Sequence, residues 1–432
     1  RKHGDSNPVK KTSTRGLFSW ALYDWANSAF PTVILTFVFS AYFTRAVAPD
    51  EITGSQVWGT VIGGGGLLIA ILGPILGAAS DQTGRRKPWI LAFSLLCILS
   101  TALLWFIYPD EKYLWYGALL AGIGTLGLEL AIIFYNAMLP GLVEEERLGR
   151  WSGWGWGLGY AGGLVCLVAV MLLFVNEETR IGLFDTDSAE HLRASFVFVA
   201  IWYAVFALPF FFFTPDTEKT GKPLGAGIRD GLLQLRDTVR NIREYVHIVR
   251  FLVARIFYVD GLATLFAFGG VFAAGSFDFD ESDILFFGIA LNITAGLGSF
   301  VFSWLDDHVG SQRTILYSLA GLIFSGSTLL LAHSELLFWI AGLTLGIFVG
   351  PVQAASRSYM ARVAPPSMVN EMFGLYAFSG KATSFAGPLL VGWITFATGS
   401  QRIGMSIIIV MFVIGFLLML TVPRAVETKT TS

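Results

Sequence analysis

Charge is what this chain has least of. Only 14% of its 432 residues are charged, whereas soluble globular domains carry about a quarter. With 54% hydrophobic residues and a mean hydropathy of +0.64, that scarcity excludes an ordinary soluble domain. Cysteine is almost absent: Cys97 and Cys166 both fall inside apolar runs, so they read as packing residues and no disulfide framework is indicated. The five histidines lie in or near loops, which suggests no metal site within the apolar runs. A formal net charge of -2 gives no argument for nucleic acid. Phosphate-loop chemistry is missing too. Gly380-Lys381 is followed by Ala382 rather than Ser or Thr and has no strand before it, so no nucleotide cofactor is expected.

What the chain does have is apolar runs of about 20 residues, each long enough to cross a hydrocarbon core of ~30 Å. In lipid the backbone must satisfy its own hydrogen bonds, so runs of this length are helices; barrel strands would be about half as long and would alternate. Twelve spans are predicted, at 17–43, 57–79, 89–108, 114–139, 151–174, 194–214, 249–275, 282–304, 314–332, 336–360, 369–397 and 402–422. They divide into a tail (1–16), a six-helix bundle (17–214), a linker (215–248), a second six-helix bundle (249–422) and a tail (423–432). The first 16 residues are polar and basic and the first run is long enough to span, so no cleavable signal is read there.

The loops and tails on the side of the N-terminus carry 20 of the 29 basic residues, against five on the other side (Arg45, Lys112, Arg180, Arg193 and Arg402). By the positive-inside rule both termini and the linker are cytoplasmic. Within the linker Ile228, Leu232, Leu235, Val239, Ile242 and Val246 recur every three or four residues with Arg229, Arg236, Arg240 and Arg243 between them. This predicts an amphipathic helix on the inner leaflet, with joining the two bundles as its plainest role.

The two halves echo each other. Asp81-x-x-Gly84 matches Asp307-x-x-Gly310, an offset of 226 (81 to 307). Gly153 and Gly159 match Gly374 and Gly380 at an offset of 221, at which Asn136 falls on Arg357. Asp24 in the first span stands opposite Asp260 in the seventh. The order and near-constant offsets indicate a duplication, and transporters are commonly built from such repeats with the site at the repeat interface.

The run Gly77-Ala-Ala-Ser-Asp81-Gln-Thr-Gly84-Arg85-Arg86-Lys87 resembles the signature loop of the major facilitator superfamily. Phe18-Ser-Trp-Ala-Leu-Tyr23-Asp24-Trp-Ala-Asn27-Ser-Ala-Phe30, with Ser356-Arg357-Ser358 and Phe373-Gly374-Leu375-Tyr376, is similar to the branch of autophagy-related vacuolar amino-acid effluxers of fungi and their bacterial relatives. The resemblance implies an all-α integral membrane protein of two pseudo-symmetric six-helix bundles. It further implies a secondary transporter that works by alternating access, in a bacterial inner membrane, as a monomer. It also implies that spans one, four, seven and ten line a central cavity.

Ionisable residues inside spans cost roughly 2.5–3.5 kcal/mol each at mid-membrane and default to function or pairing. Asp24, Glu129, Asp260, Arg255, Arg357 and Lys381 are such residues, and five of the six fall on cavity-type spans. The cavity set is therefore Asp24, Asn27, Glu129, Asn136, Asp260, Gln353, Arg357 and Lys381. The loop and gate set is Gly77, Asp81, Gly84, Arg85, Arg86, Arg255 and Asp307. Asp81 is expected to bond a neighbouring helix end, while Arg255 and Arg357 fit a gate or a substrate role equally. The mixed charge suits a zwitterion such as an amino acid, with Arg357 for its carboxylate, Asp24 or Asp260 for its ammonium, and protons carried by Glu129. Trp20, Trp25, Asn27 and Gln353 keep a sugar open, and the basic groups alone keep an organic anion open. A membrane enzyme would need clustered catalytic His, Asp or Glu, which are not seen; a non-transporting sensor stays open.

Overall fold

The computed structural model describes residues 12–425 except 278 and 280, with residues 224, 281 and 282 described by backbone alone. Most of both terminal tails, 1–11 and 426–432, lies outside the described residues. All regular elements among the described residues are helical. In chain order they are α1 (Thr14–Val47), α2 (Glu51–Thr83), α3 (Lys87–Leu103), α4 (Leu114–Leu142), α5 (Leu148–Val170) and α6 (Glu190–Phe213). The linker helix α7 (Leu224–Arg240) precedes α8 (Val246–Phe277), α9 (Glu281–Val309), α10 (Ser311–Leu331) and α11 (Glu335–Val363). Then come α12 (Val369–Lys381), α13 (Ala386–Thr398) and α14 (Gln401–Leu420).

Among the described residues, eleven helical stretches are long and apolar enough to span a membrane. The eleventh span is not one helix, as its sequence predicts, but two, α12 and α13, broken over 382–385. Pro388 lies in the first turn of α13, where its missing N–H is harmless, and a helix running through it would lose the bond to Ser384. The first span is also irregular. Around Pro31 the chain widens over Phe30–Phe37, Val38 N–H reaches back to the Val33 carbonyl at 2.8 Å, and Thr36 Oγ1 donates to the Pro31 carbonyl at 2.9 Å. Large apolar side chains such as Phe324, Leu331, Trp393 and Phe396 stand exposed on the spans, as lipid-facing residues do.

The duplication is visible in the packing. In the first half, Gly73 and Gly77 of α2 press on α12: a Cβ on Gly77 would lie 2.3 Å from the Asn370 carbonyl, and one on Gly374 2.4 Å from the Gly73 carbonyl. In the second half a Cβ on Gly153 of α5 would lie 2.5 Å from the Ser299 carbonyl of α9. Each half thus lends one span to close against the other half. Small residues permit this approach where no hydrophobic effect drives helices together. Both contacts lie toward the face that carries the basic loops, called here the basic face.

Candidate substrate cavity and its closed face

A cavity of about 1760 Å³ lies between the two halves. It reaches from the end opposite the basic face, past Phe37, Thr60, Phe266 and Ile284, down to a floor at Asp24 and Arg357. Spans one, four, seven and ten supply its walls, joined by α2, α5, α9, α12 and α13. Of the residues expected there, Asp24, Asn27, Glu129, Asn136, Gln353, Arg357 and Lys381 line it, and so does Arg255. Asp260 is buried on α8 and is not part of the lining.

Arg357 is the knot of the floor. Its Nη1 donates to Asp24 Oδ2 at 2.9 Å and to Asn136 Oδ1 at 3.2 Å, its Nη2 to the Ser152 carbonyl at 2.7 Å, and its Nε to Ser152 Oγ at 3.0 Å. The side chain is 3% exposed, and Asp24 is 13% exposed. Around it stand the rings of Trp20, Tyr135 and Trp156 at 5.1–5.8 Å, within cation–π range. Trp20 and Tyr135 stack at 4.6 Å and each bonds the other's backbone carbonyl. Trp20 is thereby a wall of the ion pair rather than a cavity surface, and Trp25 packs on Trp202. Position 155 has to be glycine for the pair to form, since a Cβ there would sit 2.6 Å from Asp24 Oδ2 and 2.7 Å from Arg357 Nη2.

Higher in the cavity, Lys381 Nζ pairs with Glu129 Oε1 at 2.7 Å, with side chains 31% and 26% exposed. Lys381 is the last residue of α12, so the break in the eleventh span frees it to reach across to α4. Arg255 differs from both cations. Its Nη1 donates to the Tyr376 carbonyl at 2.6 Å and to Ser379 Oγ at 2.7 Å, and its guanidinium lies 3.4 Å from the Tyr376 ring centre. Its Nε has no partner, and it forms no ion pair among the described residues. Neutral donors are also present: Asn27 Nδ2 is unpartnered, and Gln353 Nε2 donates to Tyr160 Oη at 3.0 Å.

The basic face is shut by two related locks. Asp81, in the last turn of α2, accepts from the backbone N–H of Asn370 at 3.0 Å and of Glu371 at 2.9 Å, and from Asn370 Nδ2 at 2.8 Å. A carboxylate thus sits on the N-terminus of α12, where the helix dipole favours it. Asp307, in the last turn of α9, accepts from Arg150 N–H in the first turn of α5 at 3.2 Å and pairs with Arg362 at 3.3 Å. Asp306 pairs with Arg362 at 2.6 Å and accepts from Ser311 at 2.7 Å and from Ser358.

Gly84 adopts φ +88° against the Glu218 carbonyl, a turn open to glycine. Arg85 is exposed, while Arg86 is buried. Burial pulls the Arg86 guanidinium below its ordinary pKa, and the nearby Asp81 and Asp216 oppose that shift. Several partners carry no sequence signal of their own: Ser152 and Ser379, buried behind the cavity wall, and Asp216, Gln234, Arg362 and Glu371 at the basic face. Only their placement beside the intramembrane charges, or beside Asp81 and Asp307, reveals them.

The family model for vacuole effluxers of the Atg22-like type matches residues 65–430. The chain belongs to that family. Among its relatives is an uncharacterised MFS-type transporter of Bacillus subtilis, YxiO, 31% identical over 97% of both chains. Autophagy-related protein 22 of Coccidioides immitis is 22% identical over 78% of this chain and 67% of its own length. Among solved structures, the proton:xylose symporter XylE superposes with a TM-score of 0.74 over 95% of this chain and 96% of its own, at 14% identity, which speaks to the fold alone. The Atg22-like chain is thus a twelve-span secondary transporter of the major facilitator fold, and its relatives are transporters rather than enzymes.

Proposed function

We propose that this Atg22-like protein moves a small zwitterion of the amino-acid class by alternating access across a bacterial plasma membrane, with its basic face cytoplasmic, its cavity facing outward in this state, and a monomer as the working unit. The positive-inside rule supports the orientation. A zwitterion needs a cation for its carboxylate and an anion for its ammonium. The observation that carries the reading is Arg255: it lines the cavity and has no carboxylate of its own. A guanidinium so placed grips a carboxylate with two parallel bonds. Arg357, the sequence candidate for this role, already spends four of its five N–H donors on Asp24, Asn136 and Ser152 and serves the floor instead. Glu129 and Asp24 are the anions that face the cavity. In proton coupling, protonation of Glu129 breaks its pair with Lys381, and the freed ammonium is offered to the substrate.

The charge count of the lining favours a second reading. Arg255, Arg357 and Lys381 face Asp24 and Glu129, one cation in excess. An organic anion would use that excess without needing the acids. Counterflow into proteoliposomes loaded with labelled amino acids, mono- and dicarboxylates or sugars separates the readings. Amino-acid exchange that Arg255→Ala abolishes is expected. Exchange of dicarboxylates alone, or of sugars alone, overturns the zwitterion.

A further inference from the structure

The linker helix α7 sorts its residues around its axis, at about 100° per residue, into four faces. Gly227, Gly231, Gln234 and Thr238 share the first face and dock on the end of α2: a Cβ on Gly231 would lie 2.6 Å from the Ala79 nitrogen, and one on Gly227 2.7 Å from the Thr83 methyl. About a quarter-turn on lies an apolar stripe of Ile228, Leu232, Leu235 and Val239. Ile228, Leu232 and Val239 are 37%, 46% and 60% exposed, and Ile242 and Val246, past the end of the helix, are exposed too. Arg229, Arg236 and Arg240 follow on the side away from the protein, with Arg243 beyond them, all exposed. The acids Asp230 and Asp237 come last, opposite the apolar stripe. Protein, hydrocarbon, phosphate and water would meet a helix lying in a membrane interface in that order. The arginines are barely neutralised. Arg236 has Asp237 at 3.5 Å, a pair of two exposed groups, which is weak. Arg229, Arg240 and Arg243 form no ion pair among the described residues.

The docked face is also a bridge. Gln82 Nε2 of α2 donates to Gln234 Oε1 at 2.6 Å, and Gln234 Nε2 donates to Glu371 Oε2 of α12 at 2.5 Å. One glutamine of the linker thus ties together the first-half and second-half helices that must separate when the basic face opens.

We propose that α7 binds anionic lipid headgroups through Arg229, Arg236, Arg240 and Arg243, and that this binding holds the basic face closed through Gln234. The apolar stripe supplies insertion and the arginines supply choice of lipid; each basic residue near an anionic surface is worth ~1 kcal/mol, or about fivefold in partition. Neither half of the proposal depends on which solute is carried.

The test uses the whole protein, with Cys97 and Cys166 replaced by Ala, in vesicles of phosphatidylcholine alone or mixed with phosphatidylglycerol. An environment-sensitive fluorophore on Ile228→Cys should shift to the blue as phosphatidylglycerol is added. Salt should reverse the shift, each Arg→Gln should weaken it about fivefold, and the fourfold Arg→Lys variant should retain it. In parallel, Thr238→Cys on the docked face should react with a water-soluble maleimide more slowly in the anionic vesicles, and adding Gln234→Ala should remove that protection. Equal blue shifts in both lipids overturn headgroup recognition. A fluorophore that stays in water throughout overturns membrane docking and assigns the stripe to a protein partner. Lipid-independent reactivity at Thr238→Cys overturns the control of closure.

Discussion

Arg357 donates to Asn136 at 3.2 Å, and the two residues are 221 positions apart, the offset at which Gly153 and Gly159 match Gly374 and Gly380. They occupy equivalent places in the two halves, so the pseudo-two-fold axis passes close to their contact. At this point the duplicated halves have diverged: an amide on one side, a guanidinium on the other, and Asp24 to balance the charge. A symmetric pair of arginines here would repel each other. The asymmetry converts the meeting point of the repeats into a bolt between α1, α4, α5 and α11. Gly155→Ala tests the bolt, because its Cβ would displace both Asp24 and Arg357. Overpacking of this kind costs about 1–3 kcal/mol. The expected result is a lowered Tm in detergent together with faster labelling of a cysteine at Asn136 from the basic face. Unchanged labelling means that the pair is structural and not a gate.

Asp81 and Asp307 answer each other across the same axis, each on the N-terminus of a span from the opposite half. Asp81→Asn keeps the shape but loses a charge-assisted bond to backbone N–H groups, worth about 1.5–3 kcal/mol. Because the bond joins the end of α2 to the N-terminus of α12 across the two halves, the variant should change the rate of state exchange more than substrate affinity. Slower flux with nearly unchanged binding is the expected pattern. Asp307→Asn should show the same pattern, and flux unchanged in both would reduce these carboxylates to topology signals.

Orientation has its own test. Asp237 lies on the exposed side of α7 and Thr186 in the exposed loop before α6. In intact cells a membrane-impermeant maleimide should reach Thr186→Cys and not Asp237→Cys. The reverse pattern turns the molecule over, and the cavity then faces the cytoplasm in this state.

Much of this fold was legible because lipid leaves the chain few choices. Length and apolarity gave the spans, and the repeat offsets set Asp307 at the position that matches Asp81, although a bond to a helix end was expected for Asp81 alone. The split of the eleventh span was hidden: its apolar run is unbroken, and the sequence signal at Pro388 is the same one that continuous α4 and α11 tolerate at Pro140 and Pro351. The charged residues were found for a sound reason, the expense of placing them in lipid, but not their pairings. Pairing depends on which helices meet. That is why Arg357 went to Asp24, Lys381 to Glu129, and Arg255 to the Tyr376 carbonyl and Ser379 with no ion pair among the described residues. Neutral groups such as Ser152 and Gln234 carry no such expense and so gave no warning.

The Glu129–Lys381 pair offers the sharpest test of energy coupling. At 2.7 Å, with both side chains about a quarter to a third exposed to the cavity, the two charges are close enough to order Lys381 against Glu129. Removing one partner leaves the other uncompensated, whereas removing both leaves a neutral wall, so a double-mutant cycle should show a coupling of about 1–3 kcal/mol. Glu129→Gln mimics the protonated carboxyl. If protonation is what frees Lys381, this variant should exchange substrate as well as the wild type in counterflow, yet lose uptake driven by a pH gradient. Lys381→Gln should weaken exchange itself, through loss of the cation offered to the substrate. The double variant should recover Tm without recovering either activity. Retained pH-driven uptake in Glu129→Gln removes Glu129 from the proton path. Additive Tm losses in the cycle would mean that the two side chains share a cavity without sharing a function.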